Sequence, residues 1–308
     1  MKPSVRQLEC LVAVADLRHF GRAAKRCHVT QPALSAQIAL AEKGLGVRIF
    51  ERGRGRVLVT PAGEAVIARA RAVLQDLDAL VETAQAVREP LSGRLRLGVI
   101  PTVAPYLLPR ALPAVRERHP RLALELREDK TQVLLDLLGA GELDLLLLAL
   151  PVAGARLESL RLFDEPFLLV APTGHRLARG RTASISEAQL AGEDVLLLAE
   201  GHCLRDQALR VCSSAGAHAS GRVQATSLGT LLQMVANGLG VTLVPESAVA
   251  VELRGALGLE VRKLRRPAPG RTIGLVWRAH SPRAAEFAQL GELLAAPARR
   301  PRAYTPAA

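Results

Sequence analysis

The sequence predicts a chain in two parts, a small basic helical domain with a β-hairpin and a larger α/β domain, joined by one long helix. Three observations carry this. Apolar residues recur at threes and fours along most of the first 88 residues, after which apolar runs of strand length alternate with helical stretches. Charge is uneven: residues 1–60 hold 11 Lys or Arg against 4 Asp or Glu, and the rest of the 308 hold 30 against 25. Finally, "EPLSG" interrupts the helical pattern at residues 89–93, where the texture changes.

Taken in order, "VRQLECLVAVADLRHF" places Leu8, Leu11, Val12 and Ala15 on one helical face, and "GRAAKRCH" forms a second short helix whose Ala23 and Ala24 allow close approach. "VTQPALSAQIALAEKGLG" is a third, with Thr30 as cap, Pro32 in the first turn and Gly44 and Gly46 ending the run. "RIFERGRGRVLVT" reads as two strands around a Gly-Arg-Gly tip, a basic wing. Three helices and a wing make a winged helix-turn-helix. From Pro61 to about Arg88, Val66, Ala70, Val73, Leu74, Leu77, Leu80, Val81, Ala84 and Val87 keep one apolar stripe. Such a helix is roughly 40 Å long and pairs most simply with its copy in a second subunit. Past the break, "RLRLGVI", "LALELRE", "LDLLLLAL", "PFLLVAP", "DVLLLAE", "VTLVP" and "RTIGLVW" read as strands. Helical "APYLLPRALPAVRERH", "TQVLLDLLGAG" and "SLGTLLQMVANGLG" lie between them. The alternation, with one strand almost wholly apolar, predicts a largely parallel buried sheet. The domains expected are 1–60, a linker and dimerisation helix 61–92, an α/β regulatory domain 93–300 and a tail 301–308, the stretch after Pro297 being rich in Arg, Pro and Ala.

Composition narrows the function. The longest apolar run, Leu145–Ala155, is too short to cross a bilayer, and charges interrupt the N-terminal apolar residues, so no export signal is expected. A cytoplasmic location with reduced thiols follows. The net charge of +12, concentrated at the N-terminal end, suggests a polyanion partner, nucleic acid before membrane.

"FGRAAKRCHVTQPALSAQIALAEKGLGVRIFERGRGRVLVTPAG" resembles the DNA-binding domain of the LysR-type transcriptional regulators. The resemblance implies that the helix starting near Gln31 enters the major groove, with Thr30, Gln31, Pro32 and Ser35 near bases or phosphates. Gln31 and Gln37 have the chemistry to read base edges, and Arg52, Arg54 and Arg56 that to neutralise phosphates. Ala39 and Ala41 depart from the family, which usually has a basic residue and a core leucine there. Cys10 and Cys27 read as small core residues.

The other two cysteines sit in "GHCLRDQALRVC", whose Leu, Gln, Ala and Arg favour helix. Nine residues of helix separate Cys203 from Cys212 by about 13 Å along the axis, whereas a disulfide needs α-carbons within about 7 Å. Bonding them therefore requires the segment to refold. Cys203 is expected at the helix start, where free N–H groups favour a thiolate, with His202 and Arg205 as further sources of positive charge. The spacing lacks the paired close ligands of a zinc site, and neither metal nor cofactor is expected.

This segment, with "IPTVAPYLLP", "LFDEPFLL", "ATSLGTLLQMVANGLGVTLVP" and "RTIGLVWR", is similar to the hydrogen-peroxide-sensing members of the same family. What this implies is a tetrameric regulator, not an enzyme. Its effector domain would resemble a periplasmic binding protein, with lobe I at about 93–165 and 271–300 and lobe II at about 166–270. It also implies Cys203 as the peroxidatic thiol, Cys212 as the resolving one, and a peroxide pocket of Thr102, Thr131, His202, Cys203 and Arg271, with Asp206 orienting Arg271. Oxidation would change the grip on promoter DNA and recruit RNA polymerase at antioxidant genes, and a thiol reductant of the glutaredoxin or thioredoxin type would reset the switch. On spacing alone Thr102 and Thr131 serve equally as helix caps, and Arg271 as a surface cation. Two other readings stay open: a regulator of the same family answering to a metabolite in the cleft between lobes, and a thiol peroxidase fused to a DNA-binding domain.

Overall fold

The computed structural model describes residues 2–53, 56–88, 90–154, 156–179, 184–253 and 258–298. The chain divides into two compact units, Met1–Arg88 and Glu89–Ala308.

In the first unit, α1 (Val5–Leu17) opens with a reciprocal cap between Ser4 and Gln7. Next come α2 (Phe20–Arg26) and α3 (Gln31–Leu45), the latter started by the Thr30 hydroxyl accepting from Ala33 N–H. Gly46, at φ 68°, ends α3, so Gly44 lies inside the helix and does not terminate it. Strands β1 (Phe50–Gly53) and β2 (Arg56–Val59) form an antiparallel wing, whose entry is fixed by the Glu42 carboxylate accepting from the N–H groups of Ile49 and Phe50. Leu11, Leu34, Ile38, Ala41, Ile49 and Phe50 form the core with the start of α4 (Pro61–Arg88). Ala41 is fully buried in that core, while Ala39 faces solvent.

The second unit holds β3 (Gly93–Val99), α5 (Ala104–Arg118), β4 (Leu122–Glu128), α6 (Thr131–Gly139), β5 (Leu145–Leu150), β6 (Leu157–Pro172) and β7 (Ser184–Ile185). It continues through β8 (Asp194–Leu198), α7 (Cys203–Ala215), β9 (His218–Ala225), α8 (Leu228–Ala236), β10 (Thr242–Pro245), α9 (Glu246–Glu252), β11 (Leu259–Leu264), β12 (Gly270–Arg278) and α10 (Ala284–Ala295). The main sheet runs β4-β3-β5-β12-β6-β11-β7, with β10 also on β6.

The sheet is mixed, not largely parallel. Strands linked through helices, such as β3 with β4 and β5, are parallel, but β12 is antiparallel to both β5 and β6, and β6 to β10 and β11. The almost wholly apolar strand is β5, an interior strand with Leu145 to Leu148 fully buried between one parallel and one antiparallel neighbour. Two hydrophobic clusters form. One gathers Leu95, Leu97, Leu147, Ile273, Leu275 and Phe287; the other gathers Phe167, Val170, Leu196, Leu231, Val244 and Leu264. Strand β6 belongs to both clusters: its first half pairs with β12 and its second with β10 and β11. Where the halves meet, Gly270 faces Pro166 and Phe167 N–H donates to Pro269 O at 2.8 Å. A β-carbon on Gly270 would stand 2.5 Å from the Glu165 carbonyl, so only glycine permits this approach.

Candidate redox site

Three strands, the parallel neighbours β3 and β4 and β8 of the separate β8–β9 sheet, each feed a helix, and the three helix starts meet. Thr102 follows β3 just before α5, Lys130 and Thr131 follow β4 at the start of α6, and Gly201, His202 and Cys203 follow β8 at the start of α7. These residues, with Ile100 and Pro101, line one narrow cleft, too tight as it stands to seat a water molecule. Sheets of this kind place ligands beyond the carboxyl ends of their strands. Three helix N-termini facing one space give it a positive potential.

Arg271 supplies the charge beneath the cavity. In the β6–β12 register it lies opposite Glu165; its Nε donates to Glu165 Oε2 at 2.8 Å, and Nη2 lies in ion-pair contact with the same oxygen at 2.8 Å. Nη1 donates to Thr102 Oγ1 and Nη2 to the Thr102 carbonyl, both at 2.8 Å. Glu165 Oε1 accepts from Ser247 N–H. The guanidinium is therefore aligned by Glu165 and Thr102, and Asp206 is not among its partners, contrary to the expectation from the resemblance. The reason is topological: Asp206 sits in the first turn of α7, whereas Glu165 is the direct cross-strand neighbour. In the sequence Glu165 is one of two adjacent carboxylates in "LFDEPFLL", and only its place just before the apolar "PFLLV" run hints that it, and not Asp164, turns inward. Neither threonine caps a helix. Val103 and Lys130 hold the cap positions, and Thr102 turns its hydroxyl to Arg271.

Cys203 is the first residue of α7 and Cys212 lies nine residues along it; both are free thiols. They belong to different cores. Cys203 is half-buried against the cluster of Leu95 and Phe287, whereas Cys212 is buried among Phe167, Leu196 and Leu231. Burial pushes the Cys203 thiol up, opposed by Arg271, by the Thr131 hydroxyl and by Leu204 N–H. That hydroxyl is buried and makes no hydrogen bond of ordinary geometry. Burial also pushes the Cys212 thiol up. The His202 imidazole is held below its usual value by burial and by Lys130, so it is neutral at pH 7 and supplies no cation. Arg205 donates to the Leu198 carbonyl. The positive charge expected from His202 and Arg205 thus comes from Arg271.

A thiol raised by burial has less thiolate at any pH below its own midpoint. The rate of Cys203 alkylation by a small haloacetamide is expected to climb steadily from about pH 6 to about pH 9, approaching tenfold per unit, as thiolate is the nucleophile. A plateau already reached near pH 6 would contradict the balance described.

In the first unit, Thr30, Gln31 and Pro32 form the exposed start of α3, and Ser35 and Gln37 are partly exposed one and two turns on. Arg52 and Arg56 stand on the wing strands, and Arg54 lies outside the described residues. Among the described residues no cluster of three or more His, Cys, Asp or Glu could hold a metal, and no helix is long and apolar enough to cross a membrane.

A helix-turn-helix with a wing, followed by a long helix and a two-cluster α/β unit, is the build of a bacterial DNA-binding regulator. Residues 5–64 match the family described as bacterial regulatory helix-turn-helix protein, lysR family, and residues 88–298 match the LysR substrate binding domain. The chain belongs to the LysR family. Within it, the chain is 48% identical to a probable hydrogen peroxide-inducible genes activator of Streptomyces viridosporus, covering 95% of this chain and 94% of that one. It is 45% identical to the DNA-binding transcriptional dual regulator OxyR of Escherichia coli K12, over 95% of each. Among solved structures it is similar to full-length OxyR of Pseudomonas aeruginosa carrying one cysteine-to-aspartate change, with a TM-score of 0.78, 39% identity and 94% of each chain covered.

Proposed function

We propose that this chain is a hydrogen-peroxide-responsive transcriptional regulator whose signal is a Cys203–Cys212 disulfide. The observation that carries the reading is the pair of free thiols on one intact helix, the first at a cavity beside Arg271 and the second in another core. The Cys203 thiolate attacks one peroxide oxygen, the O–O bond breaks, and hydroxide leaves and takes up a proton as water. The Cys212 thiol then displaces a second water from the sulfenic acid to form the disulfide. Thr102, Thr131 and His202 would hold the peroxide, Arg271 would stabilise the departing hydroxide, and Asp206 would act only as a nearby negative charge.

Joining the sulfurs pulls Cys203 from one core and Cys212 from the other, so oxidation selects a new backbone between 203 and 212. Promoter DNA would receive α3 in its major groove through Thr30, Gln31, Pro32, Ser35 and Gln37, with Arg52, Arg54 and Arg56 on its backbone. The helix α4 would pair two copies, and pairs of pairs would give a tetramer in the cytoplasm that contacts RNA polymerase. A thiol reductant of the glutaredoxin or thioredoxin type would return it to the dithiol. On this reading the chain reacts once per reduction cycle and is no enzyme.

The test is mass mapping of thiols before and after near-stoichiometric peroxide, with DNA footprinting on both samples. Two thiols lost as one 203–212 disulfide, with an altered footprint, is the expected result. Unchanged thiols, or a disulfide that leaves the footprint as it was, would overturn the reading.

Ala39 is exposed two turns beyond Gln31 on α3. Ala39→Arg is expected to tighten DNA binding several-fold and to steepen the dependence of log K on log salt by about one unit, the signature of one added phosphate contact. Fluorescence anisotropy over a salt series measures both.

A further inference from the structure

The cavity beside Cys203 has walls of two kinds. Ile100, Pro101, Thr102, Thr131, His202 and Cys203 are set by strand ends and helix starts. Lys130 is different: it is a long side chain crossing from the start of α6 to the turn that precedes α7, where Nζ donates to the Glu200 carbonyl at 2.7 Å. Its stem lies against Gly201, where an added β-carbon would stand 2.9 Å from Lys130 Cδ and 3.4 Å from Nζ. Gly201 has φ 87°, a conformation side chains rarely adopt, so the backbone favours glycine there, and the lysine stem lies over the space a side chain would fill.

We infer that Lys130 is a specificity-determining residue, a strap across the mouth of the Cys203 cavity that admits hydrogen peroxide and turns away organic hydroperoxides. The inference rests on the reaction proposed above. While the strap is in place the space is too tight even for a water-sized sphere, so a two-heavy-atom peroxide needs a slight shift of the stem and a branched or aromatic one needs it displaced. A larger hydroperoxide reaches the sulfur only if the strap releases the Glu200 carbonyl, giving up a charge-assisted hydrogen bond. Hydrogen peroxide needs only a small sideways movement of the flexible stem. In either case the chemistry is the same: the thiolate takes the terminal oxygen, the O–O bond breaks, and the alkoxide or hydroxide leaves and is protonated. Selection therefore lies in access. The ammonium also stands near enough to His202 to disfavour a second positive charge there.

The test uses the reduced full-length chain and two oxidants, hydrogen peroxide and cumene hydroperoxide, with the rate of Cys203 loss followed for wild type, Lys130→Ala and Lys130→Met. Lys130→Ala is expected to raise the cumene hydroperoxide rate about tenfold or more, the order set by removing one charge-assisted hydrogen bond, while the hydrogen peroxide rate changes by less than about threefold. Lys130→Met keeps the stem over Gly201 but cannot hold Glu200, and is expected to fall between. Should either variant melt well below wild type, the other decides. An unchanged ratio of the two rates in a variant that melts like wild type overturns the inference while leaving the sensor reading intact. A wild-type chain whose Cys203 ignores hydrogen peroxide overturns both.

Discussion

A chain carrying Cys203→Ser is expected to hold promoter DNA as reduced wild type does, yet to show no change of footprint at any peroxide concentration that saturates wild type. Serine is close in size, and Cys203 is only half-buried at the first position of α7, where serine is well tolerated. What is lost is the nucleophile. Cys212→Ser behaves differently, because the first oxidation still occurs. It removes only the partner, so sulfenic acid accumulates at Cys203 and proceeds with excess peroxide to sulfinic acid, which thiol reductants cannot reverse. Mass spectrometry of both variants with dimedone trapping makes the comparison. Sulfenic acid at Cys212 in the Cys203→Ser chain would reverse the roles and defeat the assignment.

The second large effect concerns Arg271. Its guanidinium is fully buried, and its removal leaves the Glu165 carboxylate in the interior with Ser247 N–H as its remaining partner. Arg271→Met is expected to destabilise the chain by about 3–5 kcal/mol, the usual penalty for stranding one member of a buried pair. It also removes the strongest influence favouring the Cys203 anion, so the rate of peroxide reaction falls as well. Pairing it with Glu165→Met removes the stranded charge and is expected to recover much of the stability but none of the reactivity. Urea unfolding of the single and double variants separates the two effects, with the coupling between sites read from the cycle. A double variant no more stable than Arg271→Met alone would mean that Glu165 is not stranded by the loss.

The first unit was largely legible in the sequence because its signals are local. Thr30, Pro32 and Gly46 bound α3 through chemistry within one turn, and the wing announces itself by two short apolar strands around Gly-Arg-Gly. The spacing of Cys203 and Cys212 was equally plain, since a helix fixes distance from sequence. Long-range pairing was not. Strand β6 extends back through "LESLRLFDE", where charged and apolar residues alternate irregularly and only half-bury, so no strand period stands out. For the same reason β9, in "HASGRVQA", passed unread. The sheet came out mixed because β12 returns antiparallel between β5 and β6, and nothing near residue 271 states which strand it will meet. Glu165 lies 106 residues from Arg271, and only their opposition across two strands makes them partners. Asp206, three residues from Cys203, had sequence proximity in its favour and lacked the register.

The meeting of Pro166 with Gly270 has an architectural consequence. The polypeptide departs for the second cluster and comes back at adjacent points on neighbouring strands, so everything from Phe167 to Pro269 is a cassette with abutting ends. Segments of that topology are the ones that tolerate transplantation and permutation. A relative's cassette spliced in at this junction would bring both of its own cysteines while retaining the host's Glu165 and Arg271, and hybrids of this kind would show which half sets the speed of the response.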